Sequence, residues 1–431
     1  MKKMFYFMFC MMTVLAFTSC SDDDDEEGYK LYPIIVQLQY PAESAEGPED
    51  GVEVVLKNSV NNTEYKQVTD DAGVAKFEVP EGLYEASASE QRAEGGKLFL
   101  FNGLNTNVVV SQTSTTATLS MKVSMGGSVV IKELYFGGCQ KNDGSGRFAM
   151  DQYVILYNNS SETLDLDDFA FATVNPYNAT TSNKDYKDGV LSYAAKKVIP
   201  AGPGVWYFQD DVKLAAGQQV VISITGAVNH TVTYSNSVDL SKADYCFYDL
   251  EFFDNGKYYP APSENIPATH YLKAYKYGLG NAWPMSQMSP TFFVFDPEDV
   301  DLKAFVDDKS TTDYYDGKET MARKLVPEAW IVDGIEVFES GKQALKRLTE
   351  GVDAGYIELK NGQGYTVYRN VDKAATEAIK ENAGKLVTGY ADDPSGIDAE
   401  ASLKNGARII YMDTNNSTND FHVRKVASLK K

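Results

Sequence analysis

The chain has 431 residues, with 61 acidic against 40 basic side chains and a formal net charge of −21. So acidic a body repels nucleic acid, and no basic patch interleaved with aromatics offsets that, which excludes nucleic-acid binding. The length allows two or three domains with real cores, while three histidines and four cysteines leave little material for metal or redox chemistry.

At the N-terminus, Lys2 and Lys3 precede an uncharged run from Met4 to Phe17. The run is too short to span a bilayer and is flanked like a secretory signal. Ser19 and Cys20 close it, and the acids Asp22 to Glu27 follow. This arrangement resembles the lipobox of Bacteroidota lipoproteins, with Phe17 where many lipoboxes carry Leu. The resemblance makes residues 1–19 a signal peptide and Cys20 the lipid-attachment site. Like charges repel one another, so residues 20–28 read as a solvated tether. The acidic run is also similar to the Ser-Asp-rich signal that sends such lipoproteins to the outside of the outer membrane; the alternative is a plain spacer on a periplasm-facing lipoprotein. Each buried acyl CH2 contributes about 0.8 kcal/mol, so several chains anchor a protein without a membrane-spanning helix. The expected location is the outer membrane, lipid-anchored and facing the cell exterior.

Residues 29–125 read as a β-sandwich. Apolar residues alternate in GVEVVLK (Val52, Val54, Leu56), in VAKFEVP (Ala75, Phe77, Val79) and in TLSMKVS (Leu119, Met121, Val123), with Asp, Asn, Gly and Pro clusters between them. Period two with punctuation at short spacing is the mark of stacked antiparallel sheets. The order GVEVVL, then VTDDAGVAKFEVPEGLY, resembles the transthyretin-like or carboxypeptidase-regulatory sandwich, which implies a spacer or adhesion unit and no chemistry.

Gly126-Gly127 reads as a hinge, and residues 126–431 as a second β domain. SVVIKELYFGG predicts a buried strand, DQYVILYNNSSETLDLDDFAF a strand, a polar turn and a further strand, and IPAGPGVWYF and VKLAAGQQVVISITG each a Gly/Pro turn feeding a β-branched run. These stretches resemble the lamin-tail immunoglobulin-like domain, through Ile131 and Glu133, the run Tyr153 to Ser160, Leu164-Asp165-Leu166, and Val220-Val221-Ile222. Segments 283–296, 326–338, 353–359, 364–372 and 412–421 are similar to an uncharacterised family of Bacteroidota surface lipoproteins built on that core. The last two look like a lamin-tail ending, with an Arg-bearing strand before an Asp-Thr-Asn-Asn-Ser turn. The fold class expected is therefore mainly β, two sandwich domains in tandem, the second lamin-tail-like with insertions near 230–282 and 373–404. Lys342 to Glu350 and the KAATEAIKENAGK stretch from Lys373 carry short helical patterns.

Chemistry is sparse. His230, His270 and His422 lack ligand spacing, and no GxSxG, HExxH, P-loop or EF-hand motif occurs; Asn142 to Gly146 is a turn before a strand. No catalytic residue, metal ligand or cofactor is expected. Asp165, Asp167 and Asp168 could share a Ca2+ with Asn158 or Asn159, but solvated carboxylates at a strand end account for them better, and Asx turns account for Asp413, Asn415, Asn416 and Asp420. Cys139 and Cys246, in an oxidising compartment, either bridge or remain two buried thiols. The most informative composition is aromatic. Tyr248, Tyr258, Tyr259, Tyr275, Tyr277 and Trp283 supply rigid apolar area with polar handles, suited to a ligand or partner as well as to packing of a long loop. The surface-lipoprotein resemblance implies association with a TonB-dependent uptake receptor and offers no catalytic residues. The expected function is a non-enzymatic surface protein binding a nutrient ligand or partner; the alternatives are an adhesion or glycan-binding structural protein, and a hydrolase with an unmarked site.

Overall fold

A computed structural model describes residues 30–41, 50–94, 97–125, 128–160, 162–187 and 189–430. The signal segment, Cys20, the acidic tether and the Gly126-Gly127 hinge lie outside the described residues. The fold is mainly β. Among the described residues no helix is long and apolar enough to cross a membrane.

Residues 31–125 form seven strands in the spatial order Glu64–Val68, Glu53–Asn58, Gly82–Glu94, Lys97–Val110, Thr116–Met125, Leu31–Gln39 and Val74–Pro80. Thr116–Met125 joins the two layers. Its first half runs parallel to Leu31–Gln39 from Thr116 to Ser120, and its second half pairs antiparallel with Lys97–Val110 from Met121 to Met125. The alternation seen in the sequence has a direct physical outcome: Val52, Val54, Leu56, Ala75, Phe77, Val79, Leu119 and Met121 are all buried in one core with Tyr84 and Phe101. Gly103 lets the sheets close, since a Cβ there would stand 2.7 Å from Met121 Sδ.

The rest of the chain builds a twelve-stranded mixed sheet that curls over a large core. Its spatial order is Ile357–Leu359, Ile331–Glu339, Thr291–Phe295, Ala170–Ala172, Gly204–Tyr207, Tyr271–Lys276, Tyr245–Phe247, Gln219–Ser223, Tyr153–Asn158, Val129–Tyr135, Thr366–Arg369 and Phe421–Arg424. The two halves face each other across Trp206, Phe247, Phe292, Ile131 and Leu156. Across that space, the Ile131 N–H donates to Asp333 Oδ2 at 2.6 Å. Arg369 fastens the same seam: it donates to Ile131 O at 2.8 Å, to Met412 O at 2.9 Å and to the Asp333 carboxylate. The Asp-Thr-Asn-Asn-Ser turn is thus gathered onto a buried arginine, with Asp420 Oδ2 accepting from the Thr414 and Asn416 N–H groups.

Val129–Tyr135 is buried along its whole length, Lys132 and Glu133 included. Glu133 accepts from Tyr153 Oη at 2.8 Å, and Lys132 pairs with Glu400 at 2.5 Å. Glu400 belongs to segment 373–404, which does contain the expected helix at Lys373–Ala378 and a second at Ala399–Lys404. That segment caps a satellite core of Val130, Tyr157, Tyr368, Ile397, Ile409 and Tyr411.

Two expectations need correction. Segment 230–282 is not simply an excursion, because Tyr245–Phe247 and Tyr271–Lys276 are interior strands of the large sheet. The strand pairings on either side of Tyr245–Phe247 are parallel and short, a pattern without the alternation that marks an antiparallel hairpin. Residues 342–350 form no helix. The Glu336 carboxylate captures the Arg347 N–H at 2.9 Å and the Leu348 N–H at 3.0 Å, which holds these amides away from helical partners.

Candidate ligand-binding cleft

The aromatic segment leads to a cleft at the rim of the second domain, with a volume of about 250 Å3. Its walls are two turns that follow strands, residues 173–177 and 202–203, together with the loop 279–286 and Thr320-Met321. The Asn175-Pro176 and Gly202-Pro203 peptides in those turns are cis. Val174, Trp283 and Met285 form a buried apolar floor, whereas Tyr177 and Leu279 stand at the mouth with exposures of 51% and 64%.

Arg347 shapes the cleft from behind. Fully buried, it donates through Nε to Glu336 Oε1 at 2.8 Å, through Nη1 to Pro176 O at 2.6 Å and through Nη2 to Ser289 O at 2.5 Å. One planar guanidinium thereby ties the 174–177 turn to the 286–290 loop and leaves its charge neutralised by Glu336. Other polar groups of the wall are also spent: Thr173 Oγ1 donates to Gly202 O at 2.9 Å, Thr291 Oγ1 accepts from the Val174 N–H at 2.8 Å, and Ser286 Oγ donates to Asn178. Two groups are not: among the described residues the Trp283 Nε1–H is buried without a hydrogen-bond partner, and the carboxamide of Asn175, a residue with 9% exposure, makes no hydrogen bond and faces the cleft. Gly202 makes room for that amide, since a Cβ there would sit 2.8 Å from Asn175 Nδ2. The lining contains no carboxylate, histidine or cysteine.

The six aromatic candidates divide by position. Trp283 lines the cleft with its indole packed edge-on against Phe247 at a 5.3 Å centroid distance. Tyr259 and Tyr277 lie behind the wall: Tyr259 Oη accepts from the Trp283 N–H at 2.8 Å, and Tyr277 Oη donates to Ala201 O at 3.0 Å. Burial pushes both phenols above their ordinary range, so neither ionises at physiological pH. Tyr248 packs on Tyr271, Tyr275 stacks on Tyr207 at 4.6 Å, and Tyr258 lies partly buried against the core beneath. These three do not line the cleft. Residues 175, 177, 202 and 347 do, and the sequence reading passed over them. The Asn-Pro-Tyr run at 175–177 was the available signal, a turn carrying both an amide and an aromatic ring.

Elsewhere, Cys139 and Cys246 are separate buried thiols, so no disulfide joins them. Asp165 pairs with Lys213 at 2.5 Å, and Asp167 accepts from the Val212 N–H, which accounts for two of the three carboxylates near the strand end. A second, larger gap of about 900 Å3 lies between the domains, where Lys122 meets Glu350 at 2.8 Å and Asn102 donates to Thr414 O. Its walls are mostly polar, and several of its charges are paired across it or within one domain.

Residues 215–428 match the model of a family described as "Protein of unknown function (DUF4876)". The match spans just under half of the chain. A crystal structure of a DUF4876 family protein from Bacteroides thetaiotaomicron VPI-5482 aligns with 90% of this chain and 94% of its own length, at 21% identity and a TM-score of 0.54, which establishes a shared fold. An adhesin candidate from Bacteroides ovatus aligns over 37% of this chain and 59% of its own at 13% identity, and the major pilin subunit of Bacillus cereus over 77% and 100% at 10%. With TM-scores of 0.18 and 0.16, neither bears on function. No curated protein matches the sequence. The DUF4876 match covers the 279–286 loop and Arg347, whereas the turns at 173–177 and 202–203 precede it, so the cleft draws on both parts of the second domain.

Proposed function

We propose that this is a non-enzymatic, lipid-anchored protein of the outer cell surface, which binds a ligand in the cleft and serves as accessory to a TonB-dependent nutrient-uptake receptor. The observation that carries the binding role is the cleft itself: an apolar floor, exposed apolar lips and an unspent amide, without a carboxylate, histidine or cysteine in its lining. A pocket that can hold a molecule but offers no general base suits capture rather than turnover. The anchor and the outward location rest on the sequence of residues 1–27, and the uptake partner on the family resemblance. An adhesin would use the same cleft on a fixed surface instead of a diffusing nutrient.

The test compares three strains in competitive growth across a panel of single carbon sources: wild type, a deletion, and one carrying Ala282→Trp, which fills the cleft. Protease shaving confirms equal surface display of the variant. The expected result is that deletion and filled cleft lose fitness on the same source. A deletion without effect on any source removes the uptake role; a filled cleft that behaves as wild type where the deletion fails removes the cleft from it.

A further inference from the structure

We infer that the ligand of the cleft is a single neutral glycosyl residue, the ring of a free sugar or the end of a glycan, held by the Asn175 carboxamide and the Tyr177 ring. This rests on the binding reading above and gives its ligand a chemical class.

Charge narrows the class first. No acid lines the cleft, and the one cation, Arg347, is occupied by Glu336 and backbone carbonyls. A carboxylate, phosphate or ammonium ligand would enter without a counter-charge. A neutral ligand faces no such penalty. Size narrows it further, because about 250 Å3 falls just under the ~300 Å3 at which sites for drug-sized molecules begin, so one ring fits and an oligomer does not.

The unspent polar group then distinguishes a sugar from an apolar side chain. A carboxamide offers two N–H donors and an acceptor oxygen on one small plane, which complements two adjacent hydroxyls that each donate and accept. An aliphatic occupant would leave Asn175 buried and unpaired, a condition folded proteins avoid. Tyr177 supplies the other half of the recognition. Its hydroxyl is held by Met285 O at 3.1 Å, so the ring stands fixed at the mouth with half its area open. A fixed aromatic ring suits the apolar C–H face of a pyranose, and Leu279 opposite extends the same apolar edge. Gly202 belongs to the device: any side chain there would press on the amide nitrogen from 2.8 Å.

The experiment uses the full mature chain made soluble by Cys20→Ser. Saturation-transfer NMR is run against neutral hexoses, pentoses and their disaccharides, with hexuronic acids and sulfated sugars as charged counterparts. The expected result is transfer to one or more neutral sugars, confined to one ring of a disaccharide, with affinity reduced about tenfold or more by Asn175→Ala and by Tyr177→Ala. Gly202→Ala, which keeps both residues but displaces the amide, should weaken binding in the same direction. The inference is overturned if none of these sugars shows transfer, if only the charged ones do, or if the variants, folded by circular dichroism, bind as wild type. Should the cleft-filled strain lose fitness while no neutral sugar binds, the sugar class falls and the binding function stands. Should the filled cleft be harmless in cells, both fall.

Discussion

Replacing Arg347 with Met tests whether one guanidinium organises the cleft. The side chain is completely buried, and its loss removes a donor from Glu336, from Pro176 O and from Ser289 O at once. Glu336, itself fully buried, keeps two backbone N–H groups and a distant Lys346 at 3.6 Å. Removing one partner of such a pair typically costs about 3–5 kcal/mol, because the other charge stays buried without compensation. Against a total stability of about 5–15 kcal/mol that is a large share, and for a domain of about 300 residues, unfolding with about 2.1 cal/mol/K per residue, it lowers Tm by roughly 5–8 °C. All three tryptophans, Trp206, Trp283 and Trp330, lie in the second domain, so urea unfolding followed by their fluorescence reports this domain alone. The double variant Arg347→Met with Glu336→Leu should recover part of the loss, since removing both charges relieves the desolvation that removing one exposes. A single variant within about 1 kcal/mol of wild type, or a double variant less stable than both singles, would refute the role assigned to the pair.

Other consequences can be measured on the same protein. Burial raises the Asp151 carboxyl from its ordinary value to about 6, although Ser237 and Tyr135 donate to it. A raised folded-state pKa favours the fold at low pH, and that advantage is lost as pH rises through about 4 to 6. Asp151→Asn should therefore match wild type near pH 4 and exceed it by about 2–3 kcal/mol at pH 7.5, and equal pH profiles in urea melts would contradict this. Burial also pushes the Cys139 thiol up to about 11 and the Cys246 thiol up to about 12. With Cys20→Ser, a thiol-reactive dye at pH 8 should label neither in the folded chain and both after denaturation without reductant; a pair that needs reduction first would show a bridge after all. Gly138 has φ of +71°, and a Cβ there would meet Phe148 O at 2.0 Å, so Gly138→Ala should cost at least about 3 kcal/mol, and a fully stable variant would show that this turn relaxes freely.

Much of the fold was legible because burial follows period two. In the first domain the residues at alternate positions of VAKFEVP are the ones that enter the core, and each strand needs only its own sequence to declare its inner face. The second domain obeyed the rule less well for a physical reason. Val129–Tyr135 is covered on both sides, so Lys132 and Glu133 are both buried where alternation would leave one of these neighbours in solvent, and partners on other segments, Glu400 for Lys132 and Tyr153 and Ser428 for Glu133, make that tolerable. Parallel pairings in the 245–276 region likewise depend on neighbours the local pattern does not announce. The helix expected at 342–350 failed in the same way, because Glu336, on another strand, captured its amides.

The candidate site shows why aromatic enrichment was a pointer to a region rather than to residues. A Tyr or Trp carries the same signal whether it fills a core or stands at a mouth, and the six singled out mostly took the first role, with Trp283 on the floor and Tyr259 and Tyr277 as supports. What makes the cleft receptive is a difference between two turns and an arginine. Gly202 leaves the space that Asn175 occupies, and Arg347 holds the carbonyl of Pro176 in place beside it. Asn175 and Gly202 are 27 positions apart, and Arg347 is far from either, so no local window contains the relation. A lone Asn-Pro-Tyr run reads as an ordinary turn until the chain has folded around it. Its amide then becomes conspicuous for a reason only three dimensions supply: it faces a cleft whose neighbouring hydroxyls are paired within the wall, and the protein has left it for something else to satisfy.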